Sequence, residues 1–277
     1  MELRDFIKAA LSEDLGNGDH TSLATIPKNK IGQAHLLVKD EGIIAGLELS
    51  QQIFNEIDNS LIQNITAIDG QFVHYGDILF TVSGSVRSIL TAERLVLNCM
   101  QRMSGIATTT NKYVKAVEEY GTKILDTRKT TPLMRYLEKW AVRIGGGQNH
   151  RFGLFDMILI KDNHVDSAGG IEQALQSAKK YLIENDLSIP IEIETRNIVE
   201  VQQALNAEIA DRIMLDNFTP PLLKEAIDFI NNKVVTEASG GITIDNIKAY
   251  AATGVDYISV GALTHSVKSL DLSLKIF

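Results

Sequence analysis

Cysteine is nearly absent from this sequence: Cys99 stands alone in 277 residues. One thiol cannot form an intramolecular disulfide, so a small disulfide-stapled scaffold is excluded. Long hydrophobic runs are missing too. No apolar stretch approaches the roughly 18 residues of a membrane span. The opening residues Met1-Glu2-Leu3-Arg4-Asp5 carry acids where a secretory signal has a basic region. Together these absences predict a cytoplasmic protein with no membrane partner. Positive charge is also in deficit, with 27 Lys+Arg against 35 Asp+Glu and a net charge of −8. An acidic chain lacks the broad basic surface that nucleic-acid binding requires.

What is present is enough apolar residue, 44% of the chain, to bury a core, with 22% charged residues, a composition that excludes disorder. The charge is unevenly placed. Residues 128–161 hold seven Lys/Arg (128, 129, 135, 139, 143, 151, 161) against Glu138 and Asp156. That local excess of cations marks an anion site inside an acidic chain.

The first hundred or so residues read as mixed structure. Residues 1–15 have helical spacing, and short β-like runs cover 31–39, 43–45, 73–80 and 83–86. Residues 47–57 are again helical, and a long helix is expected from 88 to about 117. After Tyr120-Gly121 the pattern changes to strand and helix in alternation. Strands are expected at 123–126, 157–161, 189–194, 212–216, 234–238 and 257–260. Helices are expected at 171–183, 198–205, 221–230 and 244–251. Near-continuous apolar strands between amphipathic helices mean a parallel sheet covered on both faces. The rhythm is that of an α/β barrel, with too few strands for eight, so an incomplete barrel is expected.

In such barrels chemistry gathers at the C-terminal strand ends. Those ends carry Asp126-Thr127-Arg128-Lys129, Lys161-Asp162-Asn163-His164, Glu194-Thr195-Arg196-Asn197, Asp216-Asn217, Ser239-Gly240-Gly241 and Gly261-Ala262. Three groups emerge. Ser239, Gly240 and Gly241, with a helix start near Thr243, and Gly261-Ala262 suit a phosphate held by backbone N–H groups, or are plain turns. Glu194 and Asp216 suit Mg²⁺ on a diphosphate, unless one simply pairs with a nearby Lys. Arg128, Lys129, His150, Arg151 and Lys161 suit carboxylates and phosphates; each alone reads as a surface charge. No Ser/His or Cys/His arrangement suggests a covalent nucleophile. Cys99 sits in a helical apolar stretch and reads as core. His20, His35, His74 and His265 lack metal-ligand spacing.

The motifs as a set resemble one family. Asp126-Thr127-Arg128-Lys129-Thr130-Thr131-Pro132, Leu137-Glu138-Lys139-Trp140-Ala141-Val142, Gly145-Gly146-Gly147-Gln148-Asn149-His150-Arg151 and Ile160-Lys161-Asp162-Asn163-His164 closely resemble the quinolinate phosphoribosyltransferases. So do Gln101-Arg102-Met103-Ser104-Gly105, Ile191-Glu192-Ile193-Glu194, Met214-Leu215-Asp216-Asn217, Glu237-Ala238-Ser239-Gly240-Gly241-Ile242 and Ser259-Val260-Gly261-Ala262. One departure is Leu133-Met134, where the family commonly has Gly-Leu.

The resemblance implies an N-terminal α+β sandwich domain over 1–105, joined by the tail 266–277, and an incomplete α/β barrel over 106–265. It implies quinolinate and phosphoribosyl pyrophosphate as substrates, with nicotinate mononucleotide, pyrophosphate and CO₂ as products, in NAD biosynthesis. Arg128, His150, Arg151 and Lys161 would hold quinolinate, with Arg102 reaching in from the other subunit of a homodimer, further assembly to a hexamer being open. Lys129, Glu194 and Asp216 would serve phosphoribosyl pyrophosphate and Mg²⁺. Ser239, Gly240, Gly241, Gly261 and Ala262 would take the 5′-phosphate.

Three rival readings stand beside this one. Lys161 suits a Schiff-base lyase; a phosphoribosyltransferase of the same fold would act on nicotinate or another base; and residues 73–86 resemble a lipoyl-type carrier, with Ser83-Gly84-Ser85 at its hairpin tip.

Overall fold

The structure, a computed structural model, describes residues 2–277. Met1, first residue of the expected N-terminal helix, lies outside the described residues. The chain forms two compact units. One comprises the described residues through Asn111, with Thr130–Gly146 and Leu263–Phe277; the other comprises Lys112–Lys129 and Gly147–Ala262. These boundaries differ from the expected 1–105 and 106–265, because residues 130–146 belong with the first unit.

The first unit opens with helices α1 (Leu3–Leu15) and α2 (His20–Thr25), the latter capped by Asp19 Oδ1, which accepts from Ser22 N at 3.0 Å. Then follow β1 (Ile31–Val38), β2 (Gly42–Ile43), α3 (Leu47–Ile57), β3 (Ile62–Ile65), β4 (Phe72–Val73) and β5 (Ile78–Ser85). The long helix α4 (Val86–Val117) comes next. In β1, Ala34, Leu36 and Val38 are buried at every second position, the period of a half-buried strand. In α3, Leu47, Ser50 and Phe54 are buried at spacings of three and four, one helical face. Cys99 is buried in α4, and burial pushes its thiol pKa up to about 12, so it behaves as a core side chain.

The antiparallel sheet of this unit runs β12-β1-β5-β3, with β12 (Leu272–Ile276) supplied by the end of the chain. Residues 83–85 are not a hairpin tip, as expected for a carrier domain. They lie inside β5, where Gly32 pairs with Gly84 and Ile62 with Ser83. Gly84 is there for close approach: a Cβ would lie 2.6 Å from a Leu61 methyl group.

The second unit alternates strand and helix. After β6 (Lys123–Leu125), α5 (Arg135–Ile144) falls in the first unit, and the second resumes with β7 (Ile158–Ile160), α6 (Asp162–Ala168) and α7 (Ile171–Glu184). It continues through β8 (Ile191–Thr195), α8 (Ile198–Ala207), β9 (Arg212–Asp216) and α9 (Pro220–Ile230). Then come β10 (Val235–Ser239), α10 (Ile247–Ala251), β11 (Tyr257–Ser259) and the short α11 (Ala262–His265). Six strands form one parallel sheet in the order β6-β11-β10-β9-β8-β7, and Gln148 adds a parallel bridge to Leu125. The barrel is therefore an incomplete one of six strands. Because the strands are parallel, every C-terminal end meets one edge. Helix α10 begins at Ile247 rather than 244, because Thr243 N donates to Asn246 Oδ1 and Asn246 Nδ2 donates to Gly241 O, making a turn first.

Candidate active site

The rim begins at Asp126, fully buried just after β6. Its carboxylate accepts from His150 N at 2.9 Å and from Asn149 Nδ2 at 2.6 Å. One buried acid thus fixes the loop that presents Arg151. Burial, and then the neighbouring Arg128 guanidinium, lower the Arg151 pKa. That repulsion is expected of cations gathered where an anion binds.

His150 is buried beneath them. Its Nε2 lies 2.9 Å from Glu192 Oε2 and 3.4 Å from Glu237 Oε2, both glutamates being fully buried. Arg212 Nη1 lies 2.8 Å from Glu237 and 3.9 Å from Glu192. Burial alone pulls the imidazole pKa down, but the two carboxylates reverse this and raise it to about 9. Arg151 N–H meets His150 Nδ1 at 2.7 Å, a contact that favours the neutral ring. The two buried carboxylates favour the imidazolium, and protonating Nδ1 requires the Arg151 N–H to turn away from it. Two acids and two cations then balance. The ligand atoms of His150, Glu192 and Glu237 lie close enough for a metal ion, yet Arg212 already fills the cationic role there.

At the next ends, Lys161 Nζ lies 2.9 Å from Glu194 Oε2. Burial raises the Glu194 pKa; Lys161 opposes this, while Asp216 and Asp162 add to it. Glu194 and Asp216 therefore sit close enough to repel. Farther along the rim, Ser239 is in register with Asp216 on β9. Gly240 and Gly241 follow at φ 94 and 62, and a Cβ on Gly241 would meet nothing within 4 Å, leaving open space over the loop. Gly261 and Ala262 follow β11. Arg128 and Lys129 are exposed after β6. The second unit thus brings Arg128, Lys129, His150, Arg151, Lys161, Glu194, Asp216, Ser239, Gly240, Gly241, Gly261 and Ala262 to one edge.

Arg102 belongs to the first unit, on α4. Its Nε donates to Glu138 Oε1 at 2.8 Å, and its Nη2 donates to Thr131 Oγ1 at 2.9 Å and Thr264 O at 3.0 Å. Glu138 is fully buried. The guanidinium is thus oriented by an internal carboxylate.

Comparison with known proteins divides the chain near residue 105, the boundary expected from sequence, rather than by the two compact units. Residues 19–104 match the family described as quinolinate phosphoribosyl transferase, N-terminal domain, and 106–275 match its C-terminal domain. The chain is 50% identical to the quinolinate phosphoribosyltransferase [decarboxylating] 2b, mitochondrial, of Nicotiana tabacum, over 99% of this chain and 82% of that one. It is 41% identical to the probable nicotinate-nucleotide pyrophosphorylase [carboxylating] of Bacillus subtilis, over 100% and 94%. The crystal structure of NadC from Streptococcus pyogenes superposes with a TM-score of 0.94 at 38% identity, over 99% and 96%. The chain belongs to the quinolinate phosphoribosyltransferase family.

Sequence reasoning missed Asp126, Glu192, Arg212 and Glu237 as supports of the rim, and Glu138 as the support of Arg102 in the first unit. One signal was available. Glu192 and Glu194 are two apart on a strand, so they share a face; the inward face of β8 therefore carries acid at two depths. Glu237 gave no such sign, being a single charge within an apolar run, and Arg212, next to Asp211 at the start of its strand, reads as an ordinary surface pair.

Proposed function

We propose that the chain transfers the phosphoribosyl group of phosphoribosyl pyrophosphate to quinolinate, releasing pyrophosphate and CO₂ and forming nicotinate mononucleotide for NAD biosynthesis. The observation that carries this is the sorting of charge along one edge: cations at Arg128, His150, Arg151 and Lys161, then the acids Glu194 and Asp216, then the Ser239-Gly240-Gly241 loop. Quinolinate needs two carboxylates held, and this many cations exceeds what nicotinate requires. The half-exposed, ion-paired Lys161 is not the desolvated amine of a Schiff-base lyase.

Glu194 and Asp216, with Lys129 near the leaving group, serve the diphosphate end. Magnesium fits their donor set: two carboxylates that repel one another, all oxygen. When bound it neutralises diphosphate charge. The C1–O bond breaks with its electron pair leaving on pyrophosphate, and the cations hold the pyridine nitrogen against C1. The quaternised ring accepts the electron pair of the adjacent C–CO₂⁻ bond, and the resulting ring carbanion is protonated. Arg128, Arg151 and Lys161 hold both carboxylates of quinolinate for this sequence, and His150, paired with Glu192 and Glu237, supports Arg151 from beneath.

Arg102 completes the quinolinate pocket from a second copy of the chain, in a cytoplasmic homodimer; its support is the buried Glu138 that fixes its direction. No described helix is long and apolar enough to cross a membrane.

Incubation with quinolinate, phosphoribosyl pyrophosphate and Mg²⁺ tests the proposal, with nicotinate mononucleotide detected by mass spectrometry. Absence of product, or faster turnover of nicotinate than of quinolinate, rejects it.

A further inference from the structure

Between the carboxylate end and the phosphate end of the rim stands Asn217, a residue to which the charge pattern assigns nothing. It follows β9 directly and sits in the left-handed region at φ 57. Asn tolerates that region because its short polar side chain bonds locally. Its backbone N–H donates to Ser239 O at 2.8 Å. Its Nδ2 donates to Asp216 Oδ2 at 2.5 Å. An ionised carboxylate only accepts, so this contact fixes which way the amide faces. The remaining amide oxygen packs on Gly240: a Cβ there would lie 2.2 Å from Asn217 Oδ1 and 2.9 Å from Asn217 N. Asn217 is exposed, so burial does not account for it.

Glycine would satisfy the backbone at this position equally well. What glycine lacks is the amide, which bonds Asp216 on one strand end while its oxygen packs on Gly240 at the next. We propose that Asn217 is a positioning residue for the phosphoribosyl donor, joining the Asp216 carboxylate and the Ser239-Gly240-Gly241 loop into one unit that grips both ends of that ligand. The proposal rests on the function inferred above. Asn217 engages Oδ2 and leaves Oδ1 of Asp216 for the ligand, while its contact with Gly240 sets the loop against that oxygen. Small displacements of such groups are costly in rate.

Two variants of the full chain test it. Asn217→Gly keeps the left-handed backbone and deletes the amide. Asn217→Asp keeps shape and backbone tolerance but sets a second carboxylate against Asp216. KM for each substrate, kcat, the calorimetric Kd of phosphoribosyl pyrophosphate with Mg²⁺, and the thermal midpoint are measured. In both variants KM and Kd for phosphoribosyl pyrophosphate should rise on the order of tenfold or more, a loss of the size expected when such contacts are removed. KM for quinolinate should stay within about threefold, an effect below the tenfold step of 1.4 kcal/mol. Unchanged donor binding in Asn217→Gly overturns the proposal. So does an equal rise for both substrates, or failure of both variants to fold, since each marks a merely structural residue. If the wild-type chain itself makes no nicotinate mononucleotide, the function fails; if it does and the variants match it, only the role of Asn217 fails.

Discussion

Lys161 Nζ lies 2.9 Å from Glu194 Oε2, joining the C-terminal ends of β7 and β8. The lysine side chain is 49% exposed and the glutamate 8%. Each belongs to a different part of the proposed reaction, Lys161 to quinolinate and Glu194 to the phosphoribosyl donor. Without ligands they neutralise one another, so a buried acid is tolerated beside Asp216.

Lys161→Ala and Arg128→Ala should each abolish quinolinate turnover while the chain stays folded. Arg128 is exposed, so its loss should leave the thermal midpoint nearly unchanged, whereas Lys161→Ala leaves the buried Glu194 unpaired beside Asp216 and should lower the midpoint without unfolding the chain. Nicotinate mononucleotide formation and a melting curve on the same preparations check both halves. Activity near the wild-type level in either variant removes the assignment.

The His150 cluster predicts a pH dependence of stability. The imidazole pKa is raised in the folded state to about 9, against 6.5 for the free side chain. A raised pKa stabilises the fold fully below pH 6.5, and that contribution is lost as pH rises through about 9. The magnitude is at most about 3 kcal/mol. Unfolding free energy should therefore fall between pH 7 and 10 in the wild type and fall less in His150→Gln. Comparing slopes, not absolute values, cancels other groups that titrate there, Cys99 among them. Parallel slopes would show that His150 is not charged in the folded chain.

Lys161, Glu194 and Asp216 were legible in the sequence because a parallel sheet delivers every strand end to one edge, and a charge directly after an apolar run is visible without a structure. Glu192, Glu237 and Arg212 lie inside strands instead. There a side chain's depth depends on registers between neighbours, such as Glu192 opposite Arg212, which no local pattern records. The grouping of residues 130–146 with the first unit was hidden for a related reason. The periodicity of α5 shows which face is buried, never against what. Gly84 misled in the opposite direction, since a glycine needed for close approach to Leu61 looks the same in sequence as one needed for a turn.

Arg102 is held by Glu138 and Thr131 within its own unit, so its function across subunits is testable by mixing. Arg102→Ala and Lys161→Ala should each be inactive alone. If Arg102 serves the partner's site, a mixed dimer has one site carrying both substitutions and one carrying neither. Random exchange makes about half the dimers mixed, so roughly a quarter of wild-type activity should return. Mass spectrometry of differently tagged subunits confirms exchange. No recovery after confirmed exchange places Arg102 in the site of its own chain, or outside any site.

Leu133 adopts φ 65, where the family commonly has glycine. A left-handed backbone costs an ordinary L-residue roughly 1–2 kcal/mol. The residue is 76% exposed, so little burial compensates that strain. Leu133→Gly relieves it but gives the unfolded chain added freedom worth about 0.5–1 kcal/mol. Leu133→Asn relieves it with less of that penalty. Both variants should unfold later than the wild type, Asn at least as late as Gly, with gains of up to about 1 kcal/mol, or about 2–4 °C in a chain of this size. Urea and thermal unfolding of the three proteins in one buffer decide the matter. A lower midpoint in both variants would mean that the Leu133 side chain makes a contact more valuable than the strain it imposes.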